Sequence, residues 1–148
     1  MPRILLNDNL DTQGMELLRQ AGLEVDERSG LTGEELQQTL ESTDALIVRS
    51  NTKVTAELLE KPGKLKVIVR AGVGVDNIDI AAATRRGIVV MNTPGGNTFS
   101  TAELTITMMM ALSRNIPAAD LSMHSGKWER KKFVGSQLKG KTLGVVGL

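Results

Sequence analysis

Lys66-Val67-Ile68-Val69-Arg70-Ala71-Gly72-Val73-Gly74-Val75-Asp76-Asn77-Ile78-Asp79 changes character twice along its length. The apolar opening reads as a buried parallel strand. Gly72 and Gly74 then free the backbone where that strand ends, and a helical pattern starts at Asp79. In an open α/β sheet, ligands sit outside the carboxyl ends of the strands, so this turn belongs to the functional edge. Successive N–H groups in a glycine-rich turn form a concavity for a carboxylate or phosphate, and Arg70 adds a charged clamp. The plainer reading is that both glycines only permit a tight strand-to-helix turn. Gly72-Val73-Gly74 also begins like the dinucleotide fingerprint G-x-G-x-x-G, but Asn77 stands at its third glycine and no acid closes a strand about twenty residues on. A small-anion site suits this turn better than a nucleotide site.

Working outward, the same strand-then-helix alternation recurs on both sides. Arg3-Ile4-Leu5-Leu6 is a short strand ending in polar Asn7-Asp8-Asn9. Asp11 or Thr12 caps a helix through Met15 and Leu18 that stops at Gly22. Leu23-Glu24-Val25-Asp26 alternates like an edge strand. Thr32-Gly33-Glu34-Glu35 has the pattern of a capping box and opens a helix through Leu36 and Leu40. Ala45-Leu46-Ile47-Val48 is a buried strand followed by Arg49-Ser50-Asn51-Thr52-Lys53. Thr55 caps a short helix over residues 56–59. Beyond the central stretch, residues 80–86 form a helix stopped by Gly87, and Ile88-Val89-Val90-Met91 is a fifth strand. The fold class is therefore α/β, a flavodoxin-like parallel five-stranded sheet with helices on both faces, over residues 1–96.

Asn92-Thr93-Pro94-Gly95-Gly96-Asn97 is a polar connector and the expected boundary. Residues 100–114 form a long helix capped by Thr98 or Ser100, with Glu103 in its first turn. Leu104, Ile106, Met108, Met109, Met110 and Leu112 make it apolar nearly all round, so it requires burial on more than one side. A second helix starts near Pro117 and ends at Gly126. Lys127-Trp128-Glu129-Arg130-Lys131-Lys132-Phe133 is basic with two aromatics. Leu143-Gly144-Val145-Val146-Gly147-Leu148 opens a new buried strand, so residues 97–148 are expected to be the opening helices and first strand of a truncated Rossmann-type domain.

Composition limits the function classes. The chain has 148 residues, a net charge of +1, no cysteine and one histidine. It has neither the basic excess of a nucleic-acid binder nor the ligands for a histidine or thiolate metal site. No leader and no membrane-length apolar run is seen, and the absence of cysteine fits a reducing cytosol, so a cytoplasmic protein is expected. A response-regulator receiver shares the sheet, but it needs an acidic pair after strand one, an Asp ending strand three and a Lys ending strand five. Here those places hold Asp8 alone, Arg49 and Met91-Asn92. A stand-alone flavodoxin-like binding module remains open.

Four motifs carry a more specific resemblance: Arg49-Ser50-x-Thr52-Lys53-Val54-Thr55, Arg70-Ala71-Gly72-x-Gly74-Val75-Asp76-Asn77, Met91-Asn92-Thr93-Pro94-x-Gly96-Asn97, and the Gly126 to Phe133 segment. Together they resemble the amino-terminal part of the D-2-hydroxyacid dehydrogenases, in particular the branch that oxidises 3-phosphoglycerate to 3-phosphohydroxypyruvate with NAD at the opening of serine synthesis. The resemblance implies that backbone N–H groups at Gly72, Val73 and Gly74 hold the substrate carboxylate. It also implies that Arg49, Lys53 and Arg70 hold its phosphate, with Arg130 reaching a neighbouring subunit's substrate. Val73 takes a position beside the nicotinamide, and Gly147 is the first glycine of the cofactor loop. Residues 98–135 would form a homodimer or homotetramer interface, with Trp128 as an anchor and His124 at the surface or in the interface. The family's catalytic arginine, glutamate and histidine match no position here, so the chain is expected to be inactive alone. Glycerate or lactate is the alternative substrate, one that needs no phosphate clamp.

Overall fold

The computed structural model describes residues 1–146. They fall into two compact units, Met1–Gly96 and a second beginning at Asn97.

In the first unit, β1 (Arg3–Leu6), α1 (Thr12–Gln20), β2 (Glu24–Glu27), α2 (Gly33–Leu40), β3 (Ala45–Val48), β4 (Val67–Arg70), α3 (Ile80–Arg85) and β5 (Val89–Asn92) follow one another. The five strands form one parallel sheet in the order β2-β1-β3-β4-β5. That order is the flavodoxin-like one, with its switch point between β1 and β3. β2 and β5 are the edges.

Side chains alternate across the sheet, and the two faces are covered unequally. Leu5, Leu46, Val48 and Ile68 point to one face, where Leu36 and Leu40 of α2, Leu59, and Ala82 and Ala83 of α3 close over them. Leu5, Leu46 and Ile68 are wholly buried there. Ile4, Leu6 and Ile47 point to the other face and meet Met15 and Leu18 of α1. The register sets Met91 beside Val69 and Val89 beside Val67, and both β5 side chains are exposed.

The helix ends follow local chemistry. The Asp11 carboxylate accepts from the Gln13 amide at 2.9 Å, and that of Asp79 from the Ala82 amide at 2.8 Å. At the far end of α3, Gly87 sits at φ +68°, a conformation that suits glycine. The Ile88 amide then reaches back to the Ala83 carbonyl and the Gly87 amide to that of Thr84. This double closure turns the chain straight into β5, and Gly22 does the same between α1 and β2.

Two local expectations need correction. Thr32 occupies the N-cap position of α2, but its side chain makes no capping bond. Gly33, the first residue of α2, takes φ +54°, and the reciprocal Thr32–Glu35 pairing does not form. The helix expected over residues 56–59 is only a single 3₁₀ turn, Leu58–Glu60; Thr55 Oγ1 accepts from the Leu58 amide at 3.3 Å. That segment is short, and burial of Leu59 sets it more than helix propensity does.

In the second unit, α4 (Thr98–Ser113) and α5 (Ile116–His124) are joined through Asn115, which takes the left-handed conformation at φ 53°. α4 starts earlier than expected, with Asn97 at the N-cap position and neither a side-chain cap nor an acid in its first turn. Within the chain it buries none of its residues. Arg130–Phe133 is a 3₁₀ turn. The buried strand expected at residues 143–148 is not seen over residues 143–146, which form no strand and expose Leu143, Val145 and Val146. A parallel strand exists only against a hydrogen-bonded neighbour, and among the described residues none pairs with this segment. Residues 147 and 148, including Gly147, lie outside the described residues.

Candidate functional site

Four loops leave the carboxyl ends of β1, β3, β4 and β5, and polar side chains, buried at Asn7 and Asp8 and more open at Asn77 and Asn92, tie them together. Asn7 and Asp8 follow β1 and are 0% and 6% exposed. Asn7 donates from Nδ2 to the Leu31 carbonyl and to Thr52 Oγ1, and its Oδ1 accepts from the Leu31 amide. Asp8 Oδ2 accepts from the Arg49 amide at 2.6 Å and from the Thr52 amide at 3.2 Å. Asn77 Nδ2 donates to the carbonyls of Arg49 and Thr52, each at 2.7 Å. Val54 and Ile78 form a parallel bridge beside it. The loop carrying Arg49 and Lys53 is thus held from both sides, by Asp8 through its amides and by Asn77 through its carbonyls.

The glycine loop is gripped by its carbonyls. The Thr93 amide donates to the Gly72 carbonyl at 3.0 Å, and Asn92 Nδ2 to the Val73 carbonyl at 2.7 Å. The Arg70 guanidinium donates to the carbonyl of Gly74. In a planar trans peptide the N–H points opposite to the C=O. Holding these three carbonyls therefore turns the amides of Val73, Gly74 and Val75 the other way. Among the described residues no backbone carbonyl accepts from any of the three.

Backbone freedom does not explain Gly72 and Gly74, since neither has a positive φ. Close approach does. A Cβ on Gly74 would stand 2.8 Å from an Arg70 guanidinium nitrogen and 3.0 Å from Asp76 Oδ1. Arg70 needs this room because its guanidinium folds back over the loop, with Asp76 Oδ1 at 3.7 Å. Its Nε is buried with no partner among the described residues. To reach a ligand, the guanidinium has to turn away from Gly74; in its present position it braces the loop.

The sequence-derived residues are placed as follows. Arg49 is exposed directly after β3, and Val48 is in register with Arg70, so both cations stand at the same edge of neighbouring strands. Lys53 is exposed further along the same loop, at the wall of a cavity that Asp8 also lines. Val73 shows 42% of its surface beside the outward-facing amides. Arg130 belongs to the second unit. Sequence reasoning missed Asn7, Asp8 and Asn92 as positioning residues. The available signal was their position: polar side chains at the carboxyl end of a strand are set to bond the loops of the neighbouring strands.

Among the described residues there is no group of three or more His, Cys, Asp or Glu arranged to hold a metal, and no helix long and apolar enough to cross a membrane.

Comparison with known proteins gives a consistent answer. Residues 4–142 match the family model described as D-isomer specific 2-hydroxyacid dehydrogenase, catalytic domain. A D-3-phosphoglycerate dehydrogenase of Homo sapiens is 54% identical over 146 residues, which cover 99% of this chain and 27% of that protein. Its counterpart in Archaeoglobus fulgidus is 53% identical over 146 residues, 99% of this chain and 28% of that one. The chain thus spans little more than a quarter of these curated relatives. The NAD+-bound crystal structure of 3-phosphoglycerate dehydrogenase in Entamoeba histolytica superposes with a TM-score of 0.67 at 38% identity, over 76% of this chain and 39% of that one.

Proposed function

The chain belongs to the D-isomer specific 2-hydroxyacid dehydrogenases, and from that premise we propose that it forms the substrate-holding part of an NAD-dependent dehydrogenase converting 3-phospho-D-glycerate to 3-phosphohydroxypyruvate. The observation that carries the reading is the glycine loop, whose carbonyls at Gly72, Val73 and Gly74 are each held by a donor of the first unit. The amides of Val73 and Gly74 are left to receive a carboxylate without rearrangement. Arg49 and Lys53 stand ready for the phosphate, and Arg70 joins them by exchanging the Gly74 carbonyl for a phosphate oxygen. The names of the relatives agree with this substrate. Val73 offers the nicotinamide an apolar surface next to the bound acid; that ring, when bound, supplies the hydride acceptor. The remaining task of these residues is to bind and orient the acid.

Residues 98–135 serve as the face of a homodimer or homotetramer in this reading. Phe99 and Leu112 of α4 are 85% and 80% exposed, and Leu104, Ile106, Met108 and Met110 are exposed with them. An apolar surface of this extent is normally covered by a partner. Arg130 is then available to a neighbouring subunit's phosphate. A chain without cysteine suits the reducing cytoplasm.

The test is a calorimetric titration of the chain with 3-phosphoglycerate and, separately, with NAD. Binding of the phosphorylated acid should be weak and salt-sensitive, and it should drop about tenfold in Asn92→Ala, which frees the Val73 carbonyl and lets the loop turn. Binding that Asn92→Ala and Arg49→Ala leave unchanged would refute the loop assignment, and tight NAD binding would place a nucleotide where the acid is proposed.

A further inference from the structure

A cavity of about 670 Å³ opens between the loop after β2 and the loop after β3. Small-molecule sites have this size and are mostly apolar, with a few placed polar groups. Leu31, Leu36 and Leu58 supply its apolar surface. Its polar anchor is Asp8, 6% exposed and yet lining the cavity. Both amides that Asp8 accepts from fall on Oδ2. Oδ1 accepts from none of the described residues, so on this largely buried side chain it is the acceptor left for a donor that enters the cavity.

The charge of the wall decides which donor. Glu34 and Glu57 add two further carboxylates, against the single ammonium of Lys53. The amino end of α2 also faces the cavity through Thr32 and Gly33, but Glu34 and Glu35 already supply negative charge to its first turn. An anion therefore gains little here, whereas a cation meets a net negative wall with an unpartnered acceptor.

We propose that this cavity binds a small organic ammonium ion carried on an apolar body, the ammonium on Asp8 Oδ1 and the body against Leu31, Leu36 and Leu58. The same carboxylate holds the amides of Arg49 and Thr52, so an occupant on Asp8 bears directly on the loop that presents Arg49 and Lys53. The inference stands apart from the anion reading of the glycine loop, and its test needs no turnover.

The experiment is a nuclear magnetic resonance titration of the whole chain, with labelled leucine methyls and backbone amides and with benzylammonium, benzyl alcohol and benzoate as probes. Benzylammonium should shift the methyls of Leu31, Leu36 and Leu58 and the amides of Arg49 and Thr52 in a saturable way, roughly tenfold more tightly than benzyl alcohol. Asp8→Asn keeps a carbonyl oxygen for the two amides and should weaken benzylammonium by about the same factor. Should that variant lose its fold, the exposed pair Glu34→Gln and Glu57→Gln decides, because neither lies in the core; together they should weaken benzylammonium severalfold and leave benzyl alcohol unchanged. Equal binding of benzyl alcohol and benzylammonium, preferential binding of benzoate, or no shift at the three leucines would each overturn the proposal.

Discussion

Asn77 does more for the site than any of the cations named from the sequence. One side-chain nitrogen holds two carbonyls of the preceding loop, and its backbone carbonyl accepts from the Val54 amide at 2.8 Å. Asn77→Ala removes both side-chain bonds and should destabilise the first unit by about 1–3 kcal/mol, measurable by urea unfolding. Asn77→Asp is not a milder change, because a carboxylate has no proton to give either carbonyl. At the opposite end of the sheet, Asp44 accepts from the Arg3 amide at 2.9 Å. That bond first, then the positive charge of Lys66 and Lys64, holds its carboxyl below the ordinary 3.8. A carboxyl depressed in the fold contributes stability above its unfolded value and loses it as pH falls through the folded one. Asp44→Asn should therefore lower stability at neutral pH and flatten the acid limb below about pH 4, checked by denaturant midpoints across pH. At this scale the sequence was legible where a residue's chemistry is intrinsic. Arg49 signals a cation at an edge, whereas Gly72 and Gly74, read as freeing the backbone, make room for the Arg70 guanidinium instead. It was silent where a role is set by distant partners, as Asp8 is set by amides more than forty positions away.

Element by element, agreement tracked how much of each segment's structure is decided locally. Strands and helices with a buried, periodic face were readable from residue pattern, and their parallel order followed from the alternation. Strand ends shifted by a residue because the last pair in a ladder is fixed by the neighbour, as Arg70 is by Val48 and Asn92 by Arg70. The capping box failed on geometry. Its letters are right, but Gly33 takes a positive φ directly after the cap, so Thr32 is not presented to the amides it should meet. Thr32→Ala should accordingly change stability by no more than about 0.5 kcal/mol, whereas Asp79→Ala, which removes a formed cap, should cost about 1 kcal/mol by the same urea assay. The strand expected near the end of the chain shows the opposite error. Its apolar letters describe an appetite for burial, and only a neighbouring ladder converts that into a strand.

Over the whole molecule the two units contrast. The first buries its apolar residues on both faces of a sheet. The second leaves a sixteen-residue helix, α4, with no buried residue at all. If association covers that helix, Met108→Glu should shift the chain toward monomer in sedimentation velocity while leaving the unfolding free energy of the first unit within about 0.5 kcal/mol of the parent. The glycine loop has a further consequence, one of timing. Its dipoles are turned outward by Thr93, Asn92 and Arg70 in the protein alone, so nothing in the loop has to fold around an arriving acid. Encounter is then governed by diffusion and by the attraction of Arg49 and Lys53, and added salt slows arrival far more than it hastens departure. The loop behaves as a frozen solvent shell, already polarised for an anion at Val73 and Gly74, so capture demands only that water leave it and that Arg70 swing off the Gly74 carbonyl.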